Sequence, residues 1–305
     1  MKHILRELNT KGLRARAVSI SHLPELEEDI KERRINGDIQ EEFFRERLTD
    51  FLFVPPESMP KAKAIIIIAF PQPKIQVSFD RNGDPSPLFI PPTYQFYPNT
   101  LTERLLKEVL RQTGHRLARA ILPLKLLAVR SGLGSYGRNN ICYVQGMGSY
   151  HRLMAFFTDF PLTDDNWQPA KLMESCSKCS ACLNSCPTGA ITPNRFLLRA
   201  QRCLTYLNER PSEFPAWVNP SWHNALVGCM RCQEVCPTNA SFIKWIEPRD
   251  FFSKEESCIL LNKVNPATLS LSMRKRLKNL GLWEYIDLLP RNMRVVMDAS
   301  KKIFN

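Results

Sequence analysis

The sequence predicts an α+β protein, and three observations carry that expectation. Residues 1–60 contain amphipathic stretches, "LPELEEDIKERRINGDI" and "QEEFFRERLTDFLF", with apolar residues at three- and four-residue spacing, which reads as helix. The run "AIIIIAF" at Ala64–Phe70 is short, β-branched and followed by Pro71, so it reads as a buried strand. Two cysteine runs then occupy a loop-rich region over about 174–240. Between strand and cysteines, the stretch from Pro71 to Asn99 is polar and proline-rich around Gly83, which reads as a long loop serving as lid, substrate loop or cofactor cover. The segment "TLTERLLKEVLRQTG" predicts a helix with a threonine cap and a stop at Gly114. A helical tail, "LSMRKRLKNLGLWEYIDLLPRNMRVVMDASKKIF", is expected to pack back on the core. The expected domains are 1–170 (α/β), 171–245 (the cysteine module) and 246–305 (helical tail).

The composition sets bounds. At 305 residues, 44% hydrophobic and 24% charged, the chain has the make-up of a folded protein with room for two domains. No stretch approaches the roughly 20 apolar residues of a membrane span. The first residues, "MKHILRELNTKGLRARAVSI", lack the apolar core of a secretory signal, so a cytoplasmic location is expected. In that reducing setting ten cysteines point to metal rather than disulfides. The net charge of +12 favours an anionic partner, but the basic residues are scattered. Their small concentrations, Lys31–Arg34, Met273–Lys278 and Lys301–Lys302, read as solvated helix faces.

The first cysteine run is Cys176-x2-Cys179-x2-Cys182-x3-Cys186-Pro187. The second is Cys203, a long gap, then Cys229-x2-Cys232-x3-Cys236-Pro237. In such runs three closely spaced thiolates hold one cubane and the cysteine before proline ligates the other. The expected sets are therefore crossed: Cys176, Cys179, Cys182 and Cys236 for one [4Fe–4S] cluster, and Cys203, Cys229, Cys232 and Cys186 for the second. Zinc also uses paired Cys-x2-Cys, but it does not call for the x2-x2-x3-C-P spacing. Two cubanes close together pass single low-potential electrons. Cys142 and Cys258 are left over and are expected to be structural.

"SGLGSYGRNN" (Ser131–Asn140), "FTDFPL" (Phe157–Leu162), "CSACLNSCPTGAI", "RCLTYL" (Arg202–Leu207) and "GCMRCQEVCPTN" (Gly228–Asn239) resemble, in order, the signature blocks of the epoxyqueuosine reductases. The resemblance covers roughly residues 60–245. It implies a nitroreductase-like α/β domain that binds base-off cobalamin, fed by a two-cluster ferredoxin-like module, an arrangement shared with reductive dehalogenases. It also implies cofactor contacts from Gly132, Gly134, Ser135, Gly137, Arg138 and Asn139. The residues agree to this extent: three glycines let a backbone approach a planar ring or phosphate closely, though a plain strand–helix turn uses them too. The chain has no Asp-x-His-x-x-Gly run to supply a histidine to the lower face of cobalamin.

Two departures bear on substrate. The acidic proton donor of the family falls at about Ala118, and no Asp or Glu lies between Glu108 and Asp159. The family's Arg-Tyr-Ala-x-Gly-x-Asp-Tyr-His segment is replaced by "PPTYQFYPNT", and its longer C-terminal region by a short tail. Replacement proton donors are Tyr136, Tyr150 and His151, with Arg138 or Arg152 as a basic neighbour that lowers a phenol's pKa. His223 is expected either to hydrogen-bond a cluster sulfur or to serve as a cap. The resulting expectation is a cobalamin-dependent reductase that takes electrons from a ferredoxin or flavodoxin and acts on an unidentified substrate, an anionic one or tRNA being the candidates, without membrane attachment. Its alternatives are an electron carrier or corrinoid-protein activase, and reduction of epoxyqueuosine in tRNA.

Overall fold

A computed structural model describes the chain except residues 82, 112, 263–264 and 302–305; side chains at 299–301 are also left aside, so the Lys301–Lys302 pair lies outside the described side chains. The chain divides into two compact units: residues 1–71, 97–180 and 194–200 form the first, and 72–96, 181–193 and 201–305 the second. These units interleave, whereas the sequence reading put boundaries at 170 and 245. Strand pairing between distant segments is the cause.

The first unit is built on an antiparallel sheet of β1 (Arg14–Ser19), β2 (Ala64–Pro71), β8 (His151–Thr158) and β5 (Leu117–Arg119), in that order. β2 is the isoleucine run, and Ile65, Ile66, Ile67 and Ile68 are all 0% exposed because both sheet faces are covered. Strand alternation sends Ile65 and Ile67 to one face and Ile66 and Ile68 to the other. On the first face lie α2 (Leu23–Ile35), through Leu23, Leu26 and Ile30, and α5 (Leu124–Arg130), through Leu126–Val129. The second face packs α1 (Lys2–Thr10), through Ile4 and Leu8, and α4 (Tyr97–Arg111), through Leu106, Val109 and Leu110. Burial of each isoleucine contributes about 1.5–3 kcal/mol. α2 carries Glu25 in its first turn and Arg33 and Arg34 in its last, matching the helix dipole. α3 (Glu41–Arg47) adds Phe44 to the α2 side. α4 starts at Tyr97, earlier than the threonine cap expected from sequence, with Pro98 in its first turn, where a missing N–H costs nothing. A two-stranded ribbon, β6 (Gly134–Tyr136) and β7 (Cys142–Val144), completes the unit.

The proline-rich stretch read as a lid is instead the start of the second unit. It forms the hairpin β3 (Lys74–Arg81) and β4 (Asp84–Ile90), turning at Gly83 with φ +87°. β4 is the edge of a sheet ordered β4-β3-β9, so Pro85 and Pro87 cost no internal ladder hydrogen bonds. β3 alternates, burying Ile75, Val77 and Phe79. It pairs in parallel with β9 (Ile246–Phe252), a strand inside the segment expected to be only helical. Phe79 stacks on Phe252 at 5.0 Å. Over this sheet pack α9 (Lys254–Leu261), α10 (Leu271–Asn279) and α11 (Leu289–Lys301), through Leu260, Leu277, Met293 and Met297. A Ser253–Glu256 capping box starts α9. Short helices α6 (Ala181–Ser185), α7 (Leu204–Asn208) and α8 (Arg231–Glu234) carry the cysteine loops. Among the described residues no helix is long and apolar enough to cross a membrane.

Candidate functional site

Every cysteine is a free thiol, and the eight of the two runs sit on short turns rather than long elements. In the second unit, Cys182 lies in α6 and Cys186 just after it; Cys203 caps the N-terminus of α7; Cys232 lies in α8, and Cys236 precedes the turn Pro237–Asn239. α6 and α8 pack side by side, and the Ser185 hydroxyl donates to the Arg231 carbonyl at 3.4 Å. Burial pushes the Cys229 thiol up to about 12, and the neighbouring sulfurs of Cys203 and Cys186 push the same way. Cys203 is raised by burial, with Cys186 adding to it. Cys186, from the first run, is thus an electrostatic neighbour of Cys203 and Cys229. Soft thiolate ligands suit iron–sulfur clusters, and coordination deprotonates a thiol outright. Among the described residues no three His, Cys, Asp or Glu side chains converge on a single ion position. The thiol-only donor set and its spacing therefore carry the case for clusters.

Polar side chains brace these turns. The Thr188 hydroxyl lies 3.5 Å from the Cys186 sulfur, and Arg202 Nε donates to the Thr188 carbonyl at 2.7 Å. Buried Lys74 pairs with Glu234 of α8 at 2.8 Å, and Asn224 joins both Glu234 and the Met230 amide. Arg291 and Asn292, at the start of α11, donate to the carbonyls of Leu207 and Asn208 that end α7.

In the first unit, Cys176 is buried at the end of a turn, and its carbonyl accepts from the Cys179 amide at 3.4 Å. The glycine block is bonded to this segment. The Tyr136 amide donates to the Lys171 carbonyl at 2.9 Å, and the Met173 amide donates back to the Tyr136 carbonyl at 2.8 Å. Arg138 donates to the carbonyls of Cys176 and Cys179.

The glycines of the block answer to internal packing. A Cβ on Gly134 would lie 2.6 Å from the Tyr143 carbonyl oxygen and 2.8 Å from the Cys142 sulfur. On Gly137 it would meet Asn139 Oδ1 and the Tyr143 ring, each at 2.6 Å. On Gly132, with φ +71°, it would meet Asn166 and Gln168. Ser135 pairs with Tyr143 in the ribbon, and buried Asn139 donates to the Tyr143 hydroxyl at 3.0 Å. At the end of the block, Asn140 holds φ +57°, and its carboxamide oxygen accepts from the Leu198 amide. The Asn140 Nδ2 is buried without a hydrogen-bond partner.

Tyr136, Tyr150 and His151 are all buried. Tyr136 pairs with Cys142 across the ribbon and meets Phe196 edge-on at 5.2 Å; burial raises its phenol above the ordinary value. His151 Nε2 lies 3.1 Å from the Cys142 carbonyl, so that nitrogen carries the proton and Nδ1 is left as a buried, unpartnered acceptor. Burial pulls the His151 pKa down to about 4, which keeps the ring neutral. Tyr136 and His151 thus flank Cys142, whereas Arg152 is turned to Asn99 at 2.7 Å. His223, in the second unit, is buried against Phe214 at 4.5 Å, with both ring nitrogens unpartnered, and caps no helix through its side chain. Burial, then the nearby Arg291 and Arg231 charges, lowers its pKa to about 4. Ala118, at the place of the family's acid, is on β5 opposite Phe157. Sequence reasoning missed the Arg138 bonds and the Lys74–Glu234 pair. A buried lysine has a signal only once its strand is recognised, and carbonyl acceptors have none.

Residues 175–239 match the 4Fe-4S double cluster binding domain, so the chain is a protein with two [4Fe–4S] cluster sites. Epoxyqueuosine reductases are among the proteins it is similar to. That of Pseudomonas aeruginosa is 35% identical over 150 residues, spanning 45% of this chain and 40% of its own. The epoxyqueuosine reductase from Streptococcus thermophilus shares the fold at a TM-score of 0.68 and 19% identity, covering 98% of this chain and 80% of that one. A crystal structure of epoxyqueuosine reductase with a tRNA-Tyr epoxyqueuosine-modified tRNA stem loop matches at a TM-score of 0.68 and 22% identity, covering 98% and 81%. The chain spans 40–50% of the length of the first curated relatives it matches.

Proposed function

We propose that the chain is an iron–sulfur, cobalamin-dependent reductase that takes electrons from a ferredoxin or flavodoxin and reduces a substrate still to be identified. The observation that carries this reading is the bonding of the glycine block to the Cys176 segment through Tyr136 and Arg138, which supports a cofactor site continuous with a cluster loop. The clusters would be held by the crossed sets, Cys176, Cys179, Cys182 and Cys236, and Cys203, Cys229, Cys232 and Cys186. The grouping of Cys186 with Cys203 and Cys229 supports the crossing.

A fit to cobalamin rests on Asn140 Nδ2 and His151 Nδ1, two buried polar atoms in or beside the block that want partners, and not on the glycines, whose faces are filled. Gly132, Gly134, Ser135, Gly137, Arg138 and Asn139 would shape and hold that region rather than touch the ring. Cobalamin, if bound there, would supply a strongly reducing metal centre. Tyr136, kept protonated by burial, is the residue that can hold a proton for delivery; His151, neutral with a bare Nδ1, can only accept one. Tyr150 is assigned to packing.

The burial of all three candidates favours a second reading, an electron carrier or corrinoid-protein activase without substrate chemistry of its own. A tRNA substrate is the third, supported by the +12 charge and by the relative bound to a tRNA stem loop. Anaerobic protein mixed with hydroxocobalamin, freed of excess and examined by electron paramagnetic resonance separates the first two. Stoichiometric base-off Co(II) is expected; full clusters without bound cobalt would leave the electron-transfer reading. Salt-dependent binding of tRNA, absent with a neutral polymer, would bring in the third.

A further inference from the structure

Arg138 lies near the end of the glycine block, where the resemblance implies a cofactor contact. Its guanidinium turns instead to the cysteine turn of the same unit: Nη2 donates to the Cys176 carbonyl at 2.7 Å and Nε to the Cys179 carbonyl at 3.2 Å. Arg138 is half-buried, and among the described residues no carboxylate pairs with it. A planar fork that spans two carbonyls is fixed in place, so its charge cannot swing out to water as a lysine's would. The potential of an iron–sulfur centre follows its net charge, its hydrogen bonds and its exposure. A fixed positive charge on the ligand turn favours the reduced, more negative form.

We propose that Arg138 is a positioning residue that raises the reduction potential of the cluster to which Cys176 and Cys179 contribute. The proposal rests on the two-cluster reading above. It also assigns a role to the block's arginine that is independent of any second cofactor. The turn that carries Cys176 is the one bonded to Tyr136 and the glycine block.

The test is a redox titration followed by electron paramagnetic resonance on the whole chain, with iron determined on each sample, for the native protein, Arg138→Gln and Arg138→Lys. Arg138→Gln should keep its iron, and at a fixed poise the reduced-to-oxidised ratio of one cluster should fall about tenfold, a shift of about 59 mV for a one-electron couple. The second cluster should not move, and Arg138→Lys should lie nearer the native protein. Unchanged potentials in Arg138→Gln would overturn the proposal. So would equal shifts of both clusters, or loss of one cluster's iron, which would make the arginine a mechanical clasp alone. A native protein without iron would instead defeat the two-cluster reading itself.

Discussion

At the scale of single residues, the proposed crossed ligation makes Cys186 the informative position. It belongs to the first run by sequence, yet its electrostatic neighbours are Cys203 and Cys229. Cys186→Ala should therefore remove or convert the cluster of the second run and leave the signal of the Cys176–Cys179–Cys182 centre intact. Iron content with low-temperature spectra checks this; loss of the first centre instead would refute the crossing. His151 and His223 give a pH prediction. Both have folded pKa values near 4, below the ordinary 6.5, so the unfolded chain binds more protons between those values. Stability conferred by the neutral rings is present above about pH 6.5 and is lost as pH falls towards 4. Each ring should cost about 2 kcal/mol on going from pH 7 to 5. His151→Gln should lessen that loss in denaturation curves; an unchanged loss would show that the ring titrates normally.

At the scale of elements, the start of α11 acts as a brace for the Cys203 turn. Asn292 donates to the Asn208 and Leu226 carbonyls, each at 2.9 Å, and Arg291 to carbonyls at the end of α7. Asn292→Ala leaves buried carbonyls unmatched and should cost about 1–3 kcal/mol, with faster iron loss from the cluster that Cys203 serves. Urea unfolding and the rate of iron release to a chelator measure both effects. In the β6–β7 ribbon the backbone contact at Gly134 leaves no space for a methyl group. Gly134→Ala should cost about 1–3 kcal/mol through overpacking against Tyr143 and Cys142. An alanine variant as stable as the native chain would mean the ribbon can open there, as a ligand-binding backbone would.

At the scale of the whole molecule, the legible parts were those written in local spacing. The cysteine runs, the isoleucine strand and the amphipathic helices α2 and α4 each announce themselves within a dozen or so residues. The β3–β4 hairpin was hidden because Pro85 and Pro87 read as loop, and only its position at the sheet edge makes them compatible with a strand. The interleaved units were hidden for a related reason: β3 joins β9 across the chain, and such long-range pairing leaves no mark in either segment. Of the site, the spacing of a double-cluster domain was readable, but the filled glycine faces and the Arg138 fork depend on atoms brought in from Tyr143, Gln168 and the Cys176 turn. The proposed electron path requires two cubanes in this chain. Iron and sulfide determination on anaerobically purified protein, with the spectrum of the reduced sample, decides whether they are there. Two clusters' worth of iron and sulfide, with overlapping signals from two interacting reduced clusters, is the predicted result. Zinc in place of iron, or iron for a single cluster, would contradict it.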